Sequence, residues 1–271
     1  IICLQKKTDK HSISDMMNEK ELLEWYLAAG VDAICGDVPG CLQQKAPPRE
    51  RPTAVGETAS RPAITDLAQM SLKACKNARE VCEAAATLEE LRAAVEAFDG
   101  CSLKLTSNKT VFGGGNPKAK IMIVGEAPGA DEDRIGEPFV GRSGHLLDKM
   151  LTAVGLDRGK VYITNVLPWR PPGNRTPTSA EVAVCLPFLR RQIELMKPEI
   201  IMVLGGSAAN SLLDNEEPIS RLRGKWLEYK TLKGDTAALL ASFHPAYLLR
   251  NPAQKSKVWA DLLRLAKKLQ N

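Results

Sequence analysis

Four consecutive apolar residues, Ile121 to Val124, stop abruptly at Gly125, and a polar loop, GEAPGADEDRIGEPFVG, separates them from a helical pattern that resumes near Ser143. A short, wholly apolar run of this kind reads as a strand buried on both faces in a parallel sheet. Loops that leave the carboxyl ends of such strands are where open α/β sheets place their ligands. The loop's glycines allow sharp turns and close approach, and Pro128 and Pro138 restrict the chain, so that Glu126, Glu132 and Phe139 can be held in fixed positions.

The rest of the second half repeats the alternation. Strands are predicted at 120–124, 161–163, 200–204 and 239–242, with a further short strand at 224–229, and helices at 143–154, 179–196, 207–213 and 253–269. Apolar strands alternating with amphipathic helices call for an α/β fold: a three-layer α/β/α sandwich around a central, mainly parallel four-stranded sheet. Before it, 64–85 reads as a helix, and Thr87 with Glu90 forms a capping box for the next helix, which ends at Phe98-Asp99-Gly100. The expected organisation is a disordered tail at 1–15, a helical extension at 16–86 that includes a helix near 18–29 and a proline-rich linker at 36–63, and a catalytic domain at 87–271.

Composition excludes several classes. The chain is 44% hydrophobic and 25% charged, with no apolar run long enough to cross a membrane. Its start, IICLQKKTDKH, lacks an h-region with a small-residue cleavage site, so a cytoplasmic location is expected. Seven scattered cysteines do not resemble a disulfide framework. The net charge of +5 is uneven: residues 1–140 carry 17 basic and 21 acidic side chains, residues 141–271 carry 20 and 11, and the basic half favours a polyanionic partner. No HExxH, GxxxxGK[ST] or GxSxG appears, and Gly113-Gly114-Gly115 precedes the first strand where a dinucleotide fingerprint would follow it.

Three further loops follow strands and so converge on one sheet edge. Asn165 offers both an acceptor and a donor, suited to the edge of a base or simply to a turn. The segment PWRPPGNR after it is rigid and basic, and Arg170 and Arg175 can hold phosphates. Gly205-Gly206-Ser207 opens a helix that either receives a phosphate or packs tightly. In SFHPAYLLRNP, His244 can donate to an anionic oxygen or carry a proton, while Leu248 and Leu249 either form an exposed wedge beside Arg250 or pack onto the sheet. His145 reads equally as a surface or helix-packing residue and as a ligand.

From about Leu88 to Leu269 the sequence closely resembles the uracil-DNA glycosylase superfamily, nearest to the family 4 enzymes. Three motifs carry the resemblance, in order: GEAPGADEDRIGEPFVGRSGHLLD, TNVLPWRPPGNRTP and HPAYLLRNPAQK. It implies a monofunctional enzyme that hydrolyses the N-glycosidic bond of deoxyuridine in single- or double-stranded DNA to start base excision repair, acting as a monomer. Position by position, it implies that Gly125, Glu126 and Ala127 line the uracil pocket with Glu126 positioning or activating water, that Glu132 abuts the base, Phe139 stacks on it, Asn165 reads its Watson–Crick edge, and His244 sits by O2. Arg142, Arg170, Arg175, Ser207, Tyr247, Leu248, Leu249 and Arg250 are the expected DNA contacts. The readings kept beside it are a glycosylase for another deaminated base, such as hypoxanthine or xanthine, and a non-catalytic DNA-binding module.

One departure stands out. Family 4 members bind an iron–sulfur cluster through four cysteines, and here Phe98 and Trp169 occupy the first and third of those positions, leaving Cys101 and Cys185. Aromatic carbon cannot bind iron, so the expectation is a variant without the cluster in which Phe98 and Trp169 fill the space by packing. Cys75 or Cys82, seven residues apart in the preceding helix, could in principle substitute as ligands. The loop after Asn165 has no histidine and no insertion of the KRRIH kind that traps the sugar covalently, which argues for turnover.

Overall fold

The computed structural model describes residues 64–270; the expected tail at 1–15, the helix near 18–29 and the linker at 36–63 lie outside the described residues. In chain order the elements are α1 (Ile64–Ala84), α2 (Leu88–Ala97), a 3-10 turn (Ser102–Thr106), β1 (Gly114–Gly115), β2 (Ile121–Gly125), α3 (Ala130–Ile135), α4 (Arg142–Thr152) and β3 (Val161–Asn165). They continue with α5 (Ser179–Met196), β4 (Ile200–Leu204), α6 (Gly206–Leu213), α7 (Ile219–Leu222), β5 (Trp226–Lys230), β6 (Thr236–Ser242), α8 (Pro245–Arg250) and α9 (Lys255–Leu269). Among the described residues, no helix is long and apolar enough to cross a membrane.

The strands form one sheet in the order β1-β3-β2-β4-β6-β5. Its inner four strands are parallel and its two edges antiparallel, giving an α/β sandwich with a mixed six-stranded sheet: the four strands expected at its centre, the further short strand expected at 224–229, seen as β5, and β1, which was not expected. Each added edge has a local reason. β1 is a pair of glycines, with no apolar signal to read, held against Tyr162 and Ile163. β5 folds back on β6 through a short turn, which only an antiparallel pair permits.

Side chains of the inner strands alternate between the two faces. Met122, Val124, Tyr162, Ile201, Val203, Leu239 and Ala241 join a core cluster with residues of α1, α2, α5 and α6. Ile123, Ile163, Met202 and Leu240, adjacent in register and fully buried, fall on the opposite face by the same alternation. On the helical side, α4 packs with α8 and α9. The compact unit spans Met70–Asn271. The domain start expected at residue 87 therefore falls inside it, because Ala78, Cys82 and Ala85 are buried in the core and Arg191 donates to the Ala85 carbonyl.

Helix starts follow their caps. Thr87 Oγ1 accepts the Glu90 N–H at 3.1 Å, while the Glu90 carboxylate takes the N–H of Ala86, one residue outside the box that was expected. α5 opens on a complete capping box of Thr178 and Glu181. α8 occupies a stretch expected to be a loop: Pro245 sits at its first position, where a missing N–H costs nothing, and six residues are too few to show a helical period.

Between α2, α5 and the loop after β3 lies an aromatic trio. Phe98 and Trp169 stack with centroids 6.4 Å apart, and each meets Phe188 edge-on. Trp169 is wholly buried and donates its indole N–H to Thr110 Oγ1 at 3.1 Å. Trp169→Ala is expected to cost about 3–5 kcal/mol of unfolding free energy, read from urea denaturation against the parent chain.

Candidate active site

The parallel register sets the frame: Gly125 pairs with Asn165 and Leu204 with Ser242, so the loops after β2, β3, β4 and β6 leave from one edge. The loops after β2, β3 and β6 line a cavity of about 450 Å³, with Glu126, Ala127, Glu132, Phe139, Asn165 and His244 on its surface and Tyr247 and Arg250 also in its wall. Gly125 makes the approach possible. A Cβ there would stand 2.4 Å from Asn165 Oδ1 and 2.6 Å from Phe139 Cζ, so any side chain would fill the slot between them.

The first loop is closed by its own carboxylates. Glu132 is buried, and its Oε1 accepts the N–H groups of Val140 and Gly141 at 3.0 and 2.9 Å while Oε2 accepts that of Gly129 at 3.0 Å. Both ends of the loop are thereby tied to one side chain. Asp133, also buried, accepts from the backbone and side chain of Asn108.

Phe139 lies in the left-handed region at φ 55°, an unfavourable setting for a bulky residue. Two contacts impose it. Arg158 donates to the carbonyls of Pro138 and Phe139 while paired with Asp148 at 2.8 Å, and Gly144 leaves room for the turn, since a Cβ there would overlap the Phe139 carbonyl. Sequence reading did not single out Arg158, because nothing local marks an arginine that reaches back to a turn twenty residues earlier.

The second loop is laid on the first. The N–H groups of Val166 and Leu167 donate to the carbonyls of Gly125 and Glu126 at 2.9 and 3.1 Å, which fixes buried Asn165 beside the loop that carries Glu126. Farther on, Arg175 grips both carboxylate oxygens of Glu181 at 2.6 and 2.9 Å. That bond, ahead of the Thr178 contacts, holds the Glu181 carboxyl down at about 2. Arg175, expected at a phosphate, is committed here to bracing the cavity wall against α5.

His244 caps α8. Its Nδ1 accepts the Ala246 N–H at 3.1 Å, which puts the ring proton on Nε2, and the ring stacks on Phe139 at 5.5 Å between centroids. Burial, with Arg250 nearby and Glu132 opposing, pulls its pKa down to about 4. At neutral pH it is therefore an uncharged donor. Burial also raises the Glu126 carboxyl above its ordinary value, offset by a hydrogen bond from Ser207. Ser207, expected to contact DNA, is thus brought to the Glu126 carboxyl.

The remaining candidates divide. Arg142, Leu249 and Arg250 are exposed, and Arg170 is half-buried with its Nε on Asn174 Oδ1. Leu248 is buried at 1% exposure, so the exposed tip expected of two leucines is Leu249 alone. His145 is exposed on α4 and is not among the cavity residues.

The positions where the resemblance places cluster ligands do not assemble a four-thiolate set. Phe98 and Trp169 are stacked in the core, and only Cys101 and Cys185 meet there, Sγ to Sγ at 3.8 Å. The hydrogen bond to Cys101 and burial push the Cys185 thiol well up, against the thiolate a metal needs. Cys82 is raised to about 12 by burial. Among the described residues, no three His, Cys, Asp or Glu side chains converge as a metal site.

Residues 112–263, which carry every element of this cavity, match the model of the uracil DNA glycosylase superfamily. The chain belongs to that superfamily. A type-4 uracil-DNA glycosylase of Pyrobaculum aerophilum is 41% identical over 179 residues, covering 65% of this chain and 91% of the relative. Those of Archaeoglobus fulgidus and Thermotoga maritima are 46% identical over 169 residues and 42% over 158, covering 84% and 80% of their own lengths and 61% and 58% of this chain.

The depressed His244 pKa has a defined consequence. Between the ordinary histidine value of 6.5 and about 4, the unfolded chain binds a proton that the folded one refuses, so stability falls as pH drops through that window and levels off below it. An ¹⁵N NMR titration is expected to show His244 neutral and protonated on Nε2 down to about pH 4; a midpoint near 6.5 would remove the uncharged-donor reading.

Proposed function

We propose that the chain hydrolyses the N-glycosidic bond of deoxyuridine in DNA, releasing uracil and leaving an abasic site. The observation that carries this reading is the neutral His244, protonated on Nε2 and stacked on Phe139 in the same cavity as Asn165 and Glu126. Membership of the glycosylase superfamily and similarity to three type-4 uracil-DNA glycosylases support it.

The steps follow from the groups present. Uracil leaves its stack at a cost of a few kcal/mol, least from a single strand or a mismatch. Stacking on Phe139 returns roughly 1–3 kcal/mol of this. Asn165 meets the O4 and N3–H edge of uracil and mismatches the N4–H₂ and N3 edge of cytosine. As the glycosidic bond lengthens, negative charge grows on O2 and the sugar becomes cation-like. A neutral Nε2–H donor stabilises the O2 charge without giving up a proton, as oxyanion donors do. The Glu126 carboxylate favours the sugar cation and orients the attacking water. Arg142, Arg170 and Arg250 supply phosphate contacts, and Leu249 is the apolar side chain at the DNA face.

The test is uracil release from single-stranded, U·G and U·A oligonucleotides. Glu126→Ala and His244→Ala are each expected to lower the saturating rate by about 10²–10³-fold, with folding checked by circular dichroism. A folded parent chain that releases no uracil from any of the three substrates overturns the proposal. Asn165→Asp is expected to lose uracil selectivity, releasing less uracil or beginning to release cytosine; an unchanged ratio of the two sinks its role in reading the base edge.

A further inference from the structure

A second buried polar cluster contains none of the residues that line the cavity. Asp261 of α9 is 1% exposed; its Oδ2 accepts the Ser242 hydroxyl and its Oδ1 the Arg223 guanidinium, each at 2.6 Å. Arg223 also donates to the Lys257 carbonyl and lies 5.4 Å over the ring of Phe243. Ser242, wholly buried, is the last residue of β6, and His244 stands two residues beyond it.

The same serine ties in the neighbouring loop. Its carbonyl accepts the Gly205 N–H at 2.8 Å, and Gly205 is the cap of α6, whose second residue, Ser207, hydrogen-bonds Glu126. Gly205 also packs on the histidine: a Cβ there would sit 3.4 Å from His244 Cβ. From the other side, the Gly224 N–H donates to the Ala241 carbonyl, and Arg264, one turn along α9 from Asp261, donates to the Gly224 carbonyl. The starting points of the His244 loop and of the Ser207 helix therefore hang from one carboxylate. A buried ion pair is a weak stabiliser compared with apolar packing of the same volume. What its two short, directional bonds supply is geometry.

We propose that Asp261 is a positioning residue for base release, setting His244 Nε2 and the Ser207–Glu126 pair in mutual register through Ser242 and Arg223. This rests on the catalytic reading of His244 and Glu126 given above. Displacement of a reacting group by about 1 Å can cost two orders of magnitude in rate without loss of binding. The signature is a fall in the saturating rate at constant affinity.

The experiment measures single-turnover uracil release from a single-stranded oligonucleotide, at a temperature where every variant is folded, for Asp261→Ala, Asp261→Asn, Ser242→Ala, the double variant Asp261→Ala/Ser242→Ala, His244→Ala and Leu265→Ala. Leu265, wholly buried on α9, is the control for lost stability alone. Asp261→Ala is expected to lower the saturating rate about 10- to 100-fold, with the half-saturating enzyme concentration within about twofold. Asp261→Asn, which keeps an acceptor for Ser242, recovers most of the rate. The double variant is no slower than Asp261→Ala, as for two groups acting in one chain of contacts. Leu265→Ala keeps the parent rate.

A parent-like rate in Asp261→Ala, or an equal loss in Leu265→Ala, overturns the proposal. If Asp261→Ala does not fold, Ser242→Ala decides alone: a slowed release supports it and a parent-like rate overturns it. His244→Ala separates the two levels. Its rate collapsing while the Asp261 and Ser242 variants stay fast overturns positioning only, whereas a parent-like rate in His244→Ala overturns the catalytic reading together with the positioning built on it.

Discussion

The parallel hydrogen-bonded register of β3, β2, β4 and β6 is the constraint on which the cavity depends. It aligns Gly125 with Asn165 and Leu204 with Ser242, so four loops that are distant in sequence begin within neighbouring strand spacings of one another. A slip of one residue in any strand would turn its apolar set to the other face and carry its loop residue away from the site. Burial of both faces of these strands makes such slips costly. The precision of the site is thus inherited from core packing that never touches a ligand.

Onto that frame the chain adds polar groups whose charge is controlled by what surrounds them. Glu132 and Asp133 are buried carboxylates held by backbone N–H groups and by Asn108, and they set the first loop. Glu126 and His244 are both shifted by burial toward their neutral forms. Phe139 shows the cost of the arrangement, since its left-handed backbone is held only by Arg158 and by the room at Gly144.

The region where the resemblance places cluster ligands is here packed core. Phe98 and Trp169 stack and each meets Phe188 edge to face, and Cys101 and Cys185 remain as a hydrogen-bonded pair of thiols. Dispersion and burial hold α2, α5 and the loop after β3 together, where metal–thiolate bonds would otherwise do so. The loop that carries Asn165 is anchored either way.

Much of this was legible before any coordinates, because it is written in local pattern. The apolar runs at 121–124 and 200–204, the capping of α5 at Thr178, the abrupt halt at Gly125 and the loss of two ligand cysteines are properties of short segments, and the fold supplies little that could reverse them. Convergence of Glu126, Asn165 and His244 on one sheet edge followed from the parallel alternation of strands and helices. Beyond local pattern lay features whose partner is remote: the glycine edge β1, the membership of α1 in the core, Arg158 on the Phe139 carbonyl, and Asp261 under Ser242. The sequence by itself determined which side chains are available for chemistry and the layered architecture that presents them. Only the tertiary structure decided their protonation, tautomer and rigidity, because those depend on burial and on hydrogen bonds that exist only in the folded chain, some as local as the Ala246 N–H on His244 Nδ1 and others twenty residues apart, as Arg158 on the Pro138 carbonyl.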